Sequence, residues 1–383
     1  MSAIVSLAEI APAQSSFVYD GSQAHAVALT PEVEDMLRAN CVVAIGVSGG
    51  KDSVACALAV ARHLEEIGHT GPCVLVHAEL GSIEWRDSLP SCERLAAHLG
   101  WELLVVKRAA GDLVARWRGR WANNVERYRN LQCVKLVLPW STPSMRFCTS
   151  ELKTQVIASA LRKRFPARPI LNVTGIRWQE SSRRSKMPIA APMSQLERKA
   201  AKALAWNAII DWQLPEVLSI ARQAGIAPHI AYTVYGASRV SCAYCIMSTA
   251  EDLVAATRCT DNHEVYRSLV ELEAESTFAF QGARWLGDVA PSLLSEDLRC
   301  RLDQAKVKAE ERKRIESAIP DHLLYVKGWP TAMPTKAEAE LIASVRRKMN
   351  ALMGLDMNYM SAESVLARYS ELMAASKVKT KNE

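Results

Sequence analysis

Short apolar runs alternate with amphipathic stretches from about residue 40 to residue 210, and charged, helix-prone stretches follow beyond residue 250. Val42-Val43-Ala44-Ile45-Gly46-Val47 is a continuous apolar run, which predicts a buried strand; the glycine-rich turn Ser48-Gly49-Gly50 follows, and Val54 to Val60 then reads as helix. Pro72 to Ala78 predicts a second buried strand, Ser91 to Leu99 a helix stopped by Gly100, and Glu102 to Val106 a third strand. A fourth, Pro169 to Val173, runs into Thr174-Gly175-Ile176-Arg177. Upstream, Thr30 as N-cap, Pro31 at the first helical position and the early acids Glu32 and Glu34 start a short helix. Strands separated by helices at this spacing imply a parallel sheet with right-handed crossovers, whose ligand lies at the carboxyl ends of the strands.

Beyond residue 250 the strand pattern stops, and Gln304 to Ser317 and Thr335 to Met353 predict helices separated by the proline-bearing stretch Pro320 to Pro334. Lys377 to Lys381 reads as a frayed basic tail. The expected architecture is α/β: a loosely ordered arm over 1–30, a parallel twisted sheet flanked by helices over 31–250, and a helical C-terminal region over 251–383.

Composition narrows the class. With 383 residues, 49% of them hydrophobic and 23% charged, the chain is that of a folded globular protein. No apolar run is long enough to span a membrane, and the first residues lack the basic start and apolar core of a secretory signal, so a cytoplasmic location is expected. Ten irregularly spaced cysteines then read as thiols, metal ligands or cluster ligands rather than a disulfide framework. Cys41, Cys56, Cys73 and Cys133 sit in apolar contexts and read as core; Cys92 and Cys300 carry no motif.

The formal charge of +6 permits a polyanionic partner, and the placement of the charges says more. Between Lys107 and Arg129, Arg116, Arg118, Arg120, Arg127 and Arg129 are interleaved with Trp117, Trp121 and Tyr128 at helical spacing. Two readings stand: a face that binds DNA or RNA, or an amphipathic helix whose rings are core and whose cations are surface.

Ser48-Gly49-Gly50-Lys51-Asp52-Ser53 lies where a strand becomes a helix. Glycines there let backbone N–H groups approach an anion, the helix N-terminus favours negative charge, and Lys51 adds a cation. It is not a Walker A loop, since Ile45 and Asp52 stand where that pattern needs glycine and a hydroxyl; an acid at Asp52 suits Mg2+ or capping. The hexapeptide resembles the PP-loop of the ATP pyrophosphatases, which split ATP between its α and β phosphates to adenylate a substrate.

Further stretches between about residues 40 and 250 resemble one subgroup of that family, which includes phosphoadenylyl sulfate (PAPS) reductases, the sulfate adenylyltransferase small subunit and Dnd-type DNA phosphorothioation enzymes. Arg146-Phe147-Cys148-Thr149-Ser150-Glu151-Leu152-Lys153 is similar to the family's cysteine-bearing segment. Thr174-Gly175-Ile176-Arg177-Trp178-Gln179-Glu180-Ser181-Ser182-Arg183-Arg184 resembles its Gly-x-Arg loop. The likeness implies that Gly175 adjoins the nucleotide, that Arg177, Arg183 and Arg184 hold phosphate or sulfate oxygens, and that Glu180 orients them. Asp211-Trp212 resembles a helix start with a structural role, while Glu79 and Gly81, after the second strand, stand where the family has an acid and a glycine near nucleotide or Mg2+. His77 reads as core.

Cys242-Ala243-Tyr244-Cys245 is a Cys-x-x-Cys pair that by itself fits Zn2+, a redox disulfide or an iron–sulfur centre. In the family's cluster-bearing reductases an adjacent cysteine pair precedes such a motif; here Cys148 stands beside Phe147, so the resemblance implies Cys148, Cys242 and Cys245 as ligands of a [4Fe-4S] cluster. The fourth position is either Cys259 or an open iron able to take sulfide; Zn2+ at the pair, with Cys148 a core thiol, is the alternative. The reductases' Glu-Cys-Gly-x-His segment is absent and Lys51 and Asp52 are kept, which favours a chain that cleaves ATP. The expected activity is ATP-dependent sulfur transfer to a substrate oxygen, on an acceptor such as a nucleic acid, with a sulfur donor such as a cysteine desulfurase. The alternatives are a PAPS or adenylyl sulfate reductase using Cys259 as nucleophile, and a non-catalytic nucleotide-sensing subunit that binds DNA.

Overall fold

The structure, a computed structural model, describes residues 26–198 and 201–381, of which 376–381 by backbone alone. Most of the expected N-terminal arm lies outside these residues. Residues 26 to 30 are held: Trp206 and Trp212 donate their indole N–H to the carbonyls of Ala28 and Ala26 at 2.7 and 2.9 Å.

Helix α1 (Pro31–Arg38), capped by Thr30, leads into β1 (Val42–Gly46), α2 (Lys51–Glu66), β2 (Cys73–Glu79), α3 (Ser88–Leu99) and β3 (Glu102–Lys107). After α4 (Leu113–Arg129) come a helical turn α5 (Phe147–Thr149), a π-helical turn Ser150–Thr154 that runs on into α6 (Gln155–Arg164), and β4 (Ile170–Val173). Two short strands, β5 (Ala190–Pro192) and β6 (Ala203–Trp206), precede α7 (Leu214–Gln223), α8 (Ile230–Thr233), α9 (Ala250–Thr257), α10 (His263–Ser276), α11 (Glu296–Glu316), α12 (Lys336–Met353) and α13 (Ala362–Lys381). The sequence reading missed β5 and β6, which are short and rich in alanine and take their strand character from pairing. The backbone of Lys377 to Lys381 continues α13.

The six strands run in the order β3-β2-β1-β4-β6-β5, parallel throughout except for β5. The chain builds outward from β1 through β2 to β3, then returns to β1's other side to lay down β4. The reversal therefore falls between β1 and β4, and crevices at such points hold ligands in doubly wound sheets. Side-chain alternation on β1 explains the two covered faces: Val43 and Ile45 pack with α1, α2, α3 and α7, while Val42 and Ala44 pack with Ala158 and Leu161 of α6. The fold is thus α/β, a mostly parallel sheet flanked by helices with a helical C-terminal region, and no helix among the described residues is long and apolar enough to cross a membrane.

A third core joins the segment after β2 (Leu80, Ile83, Trp85), α4, Phe147 and Leu152 to the helices beyond residue 231. The aromatic–basic helix is built into it. Trp117, Trp121 and Tyr128 are buried, and the five arginines have internal partners. Arg116 grips Glu151 bidentately at 2.7 and 2.9 Å, Arg118 donates to Ser268 and Glu271, Arg120 to the Leu138 carbonyl, and Arg129 to Asp356, while Arg127 lies over the Tyr325 ring. From α12, the fully buried Arg346 donates to the carbonyls of Tyr128 and Arg129 at 2.8 and 2.7 Å and so closes the last turn of α4. Of the two readings of this helix, the geometry is that of a core helix with tethered cations.

Candidate functional site at the strand-order reversal

The loop after β1 turns through Gly49, whose φ is +73° and whose missing side chain leaves room for Ser91 and Ser88; a Cβ would lie 2.9 Å from Ser91 Cβ. Gly50 then caps α2, the Lys51 N–H donates to the Tyr232 hydroxyl at 3.2 Å, and Gly50, Asp52 and Ser53 line a cavity at the first turn of the helix. Ser53 Oγ accepts from the Ser48 N–H at 3.3 Å and donates to the Gly50 carbonyl at 2.8 Å, holding the loop in shape. Lys51 turns aside: its Nζ donates to the Ser238 carbonyl at 3.1 Å and lies 5.1 Å from the centre of the Tyr232 ring.

The segment after β4 faces this loop across the reversal. Gly175 packs directly on it, with a would-be Cβ only 2.5 Å from the Asp52 carbonyl oxygen. Arg177 is buried beneath α2, donating through Nε to Asp52 Oδ1 at 2.7 Å and through Nη1 to Gln179 Oε1 at 2.7 Å and the Trp212 carbonyl at 3.3 Å. Glu180 accepts from the Arg177 N–H at 2.9 Å and is ion-paired with Arg184, which lines the cavity. Arg183 faces a neighbouring groove instead.

The cavity is about 340 Å3 and is bounded by the loop, by Val76 and His77 of β2, by Asn172 and Thr174, by Thr149, Lys153 and Thr154, and by Arg239 and Val240. Glu79 and Gly81 are not on its wall. Glu79 pairs in register with Lys107 of β3, and Gly81 is packed against Asp112. The groups that do face it from this side are His77, expected as core, and Glu84. His77 is 1% exposed; its Nδ1 donates to the Val47 carbonyl at 3.1 Å, and Nε2 lies 3.4 Å from Glu84 Oε2 without hydrogen-bond alignment. Burial opposes its charge, but the Cys92 thiol and the Glu84 carboxylate outweigh that and hold its pKa up at about 10. Lys153, Arg239 and Glu84 carry no signal that periodicity could reveal; Lys153 is brought in by the π-helical turn Ser150–Thr154, and Arg239 and Glu84 by connecting segments.

The cysteines approach the same cleft. Cys242 forms an isolated antiparallel bridge with Glu84, reinforced by the Ala243 N–H on the Ile83 carbonyl at 2.8 Å. The residue is half-buried, yet its thiol sits deep enough that desolvation raises its pKa, with Cys245 and Cys148 adding to the rise and Lys153 opposing it. Cys148 lies on α5, whose Thr149 lines the cavity, and Cys245 Sγ accepts from the Met247 N–H at 3.4 Å. Cys245 and Cys148 thus each act on Cys242, and thiols are soft donors of the kind that an iron–sulfur cluster or Zn2+ takes. Among the described residues no three His, Cys, Asp or Glu side chains are gathered at metal-binding spacing. Cys259 is 3% exposed and acts on the neighbouring Tyr235 hydroxyl, raising its pKa.

The fold and this crevice define an α/β protein with a glycine-rich loop at the point where strand order reverses. No family model matches the chain, and no curated protein matches it. Among solved structures it is similar to the PAPS reductase of Candida auris in a phosphate complex, with a TM-score of 0.34 and 10% identity over 56% of this chain and 97% of that one. It is also similar to the U34-tRNA thiolase NcsA of Methanococcus maripaludis with its [4Fe-4S] cluster, with a TM-score of 0.27 and 14% identity over 76% of this chain and 77% of that one.

Proposed function

We propose that the chain is an ATP-dependent sulfurtransferase of the PP-loop type. The Ser48–Ser53 loop would cradle the phosphates of ATP with Mg2+ at Asp52; an acceptor oxygen would attack the α-phosphorus, with pyrophosphate leaving and an acceptor–AMP ester remaining. Arg184 and the first-turn N–H groups of α2 stand where they would stabilise the departing charge. Sulfide, set free from a persulfide donor such as a cysteine desulfurase by two electrons from a thiol reductant, would then attack the adenylated atom; the bond from that atom to the ester oxygen breaks, AMP leaves with the oxygen, and the acceptor is left thiolated. Cys148, Cys242 and Cys245 are the residues that would hold a [4Fe-4S] cluster or Zn2+; when bound, such a group supplies thiophilic metal positions beside the cleft.

One observation carries the reading: the Glu84–Cys242 bridge sets the Cys-x-x-Cys segment against a carboxylate that itself lines the cavity beside the glycine loop. Cys259, only 3% exposed, counts against the reductase alternative, which needs it as a nucleophile. The tethered arginines of α4 count against a DNA-binding subunit built on that helix. The test is pyrophosphate release from ATP by anaerobically reconstituted protein supplied with sulfide and candidate acceptors, DNA and RNA first. Release that depends on the acceptor and is lost in Lys51→Ala supports it; ATP binding with no release under any of these conditions overturns it.

A further inference from the structure

Beside the cleft lies a second groove, of about 300 Å3, walled by Arg146, Ser150, Gln155, Arg183 and Gln195. Thr149 and Thr154 line both spaces, so a single turn of chain forms a wall of each. No carboxylate lines the groove. Arg146 commits one guanidinium N–H to Thr149 Oγ1 at 3.1 Å, and Arg183 forms no ion pair among the described residues. Other arginines nearby are differently placed: Arg177 is locked to Asp52, Arg184 to Glu180 and Arg116 to Glu151. Two forked cations that share a wall with hydroxyls and amides, and have no acid to balance them, form a site complementary to a tetrahedral oxyanion.

We propose that this groove is a phosphate subsite for the acceptor, separate from the cradle that takes the phosphates of ATP; the assignment rests on the function proposed above. A phosphate anchored between Arg146 and Arg183 puts the remainder of its molecule across Thr149, toward Lys153 and the Cys148 segment, where the acceptor atom must meet both activated phosphate and sulfur. Arg183 thereby serves the acceptor, not the departing pyrophosphate. The shared chemistry is a phosphate ester, supplied either by the phosphodiesters of an oligonucleotide or by the phosphomonoester of a small nucleotide.

Equilibrium binding separates these sources without requiring turnover. A fluorescein-labelled single-stranded DNA oligonucleotide, adenosine 3′,5′-bisphosphate and ATP are titrated against the full chain, the Arg146→Gln/Arg183→Gln double variant, Arg183→Lys, and the exposed control Arg301→Gln. The double variant is expected to bind the oligonucleotide or the bisphosphate about ten-fold or more weakly while its ATP affinity stays within about two-fold; Arg183→Lys falls between, and the control is unchanged. Loss confined to the oligonucleotide, with its log–log salt slope smaller by about 1.4 for two lost contacts, names a nucleic-acid strand. Loss confined to the bisphosphate names a small nucleotide. Unchanged binding of both probes, or an equal fall in ATP affinity, overturns the subsite. A chain that passes this test yet releases no pyrophosphate would sink the sulfurtransferase reading and leave the subsite standing.

Discussion

Arg177 reaches under the first turn of α2 and holds the Asp52 carboxylate at 2.7 Å, tying the segment after β4 to the loop after β1 across the reversal in strand order. The side chains are 5% and 20% exposed, so the pair is largely screened from water. Removing the carboxylate leaves a buried guanidinium with only Gln179 and a carbonyl to satisfy it. Asp52→Ala is expected to lower stability by about 3 kcal/mol in urea denaturation, as breaking a buried pair does. Lys51→Ala, which breaks a contact at the edge of the same loop, should cost much less stability while abolishing ATP binding.

Two glycines offer a matched comparison. Gly175 has no room for a methyl group, since a Cβ would stand 2.5 Å from the Asp52 carbonyl oxygen, whereas Gly119 in α4 has nothing within 4 Å. Gly175→Ala should lose about 1–3 kcal/mol and weaken ATP binding at least about ten-fold, because the backbone of α2 must shift. Gly119→Ala should gain about 0.5–1 kcal/mol through helix propensity and leave binding alone. Thermal melts and nucleotide titrations read both.

Iron and sulfide quantitation after anaerobic reconstitution separates the cysteines. Cys148→Ala, Cys242→Ala and Cys245→Ala should each lose most bound iron and the associated visible absorption, while Cys259→Ser should retain both, since that thiol is turned toward Tyr235. Zinc with no iron in the wild type would decide for the other occupant of the pair.

The arginines of α4 should report on stability rather than on nucleic acid. Arg118→Gln and Arg127→Gln are expected to leave oligonucleotide affinity within about two-fold and stability within about 1 kcal/mol, because their partners are at the surface. Arg346→Met, by contrast, frees the carbonyls of Tyr128, Arg129 and Asn358 inside the protein and should cost about 3 kcal/mol or more in denaturant unfolding.

Glu273 gives the C-terminal helices a pH dependence. Burial raises its pKa from 4.5 to about 7, although its carboxylate accepts backbone N–H groups from Phe280, Leu286 and Gly287. A carboxyl group whose folded pKa is raised retains a proton that the unfolded chain releases, so stability from this group is complete below about pH 4.5 and declines as pH rises through 7. Melting temperatures measured from pH 5 to 8 should show that decline, and Glu273→Gln should flatten it.

The parallel sheet was legible because β1, β2 and β4 are continuous apolar runs, and the loop because glycines between a strand and a helix leave few alternatives. Of the C-terminal helices, α12 and the second half of α11 were legible from their charge pattern, while α9, α10 and α13 were not read as separate helices. Other features depend on distant partners. His77 lies in an apolar strand, and only the fold shows that it and Glu84 face the cavity. The arginines of α4 have the spacing of a polyanion-binding face, and that spacing is silent about Glu151, Ser268 and Asp356, which hold three of them from elsewhere in the chain. Arg183 and Arg184 adjoin in sequence and still line different spaces, because the short 3₁₀ turn at Arg184–Lys186 sends their side chains apart.

The core shared by α4, the Cys148 segment and the helices beyond residue 231 limits how the gene could be shortened. A stop codon near position 250 would keep the glycine loop, Cys148, Cys242 and Cys245, so every residue of the expected chemistry would be present on paper. It would also uncover Trp117 and Trp140, whose rings pack on Phe280. Such a fragment should collect in the pellet, its thiols no longer held in register by the very part of the chain that contributes none of the reacting groups.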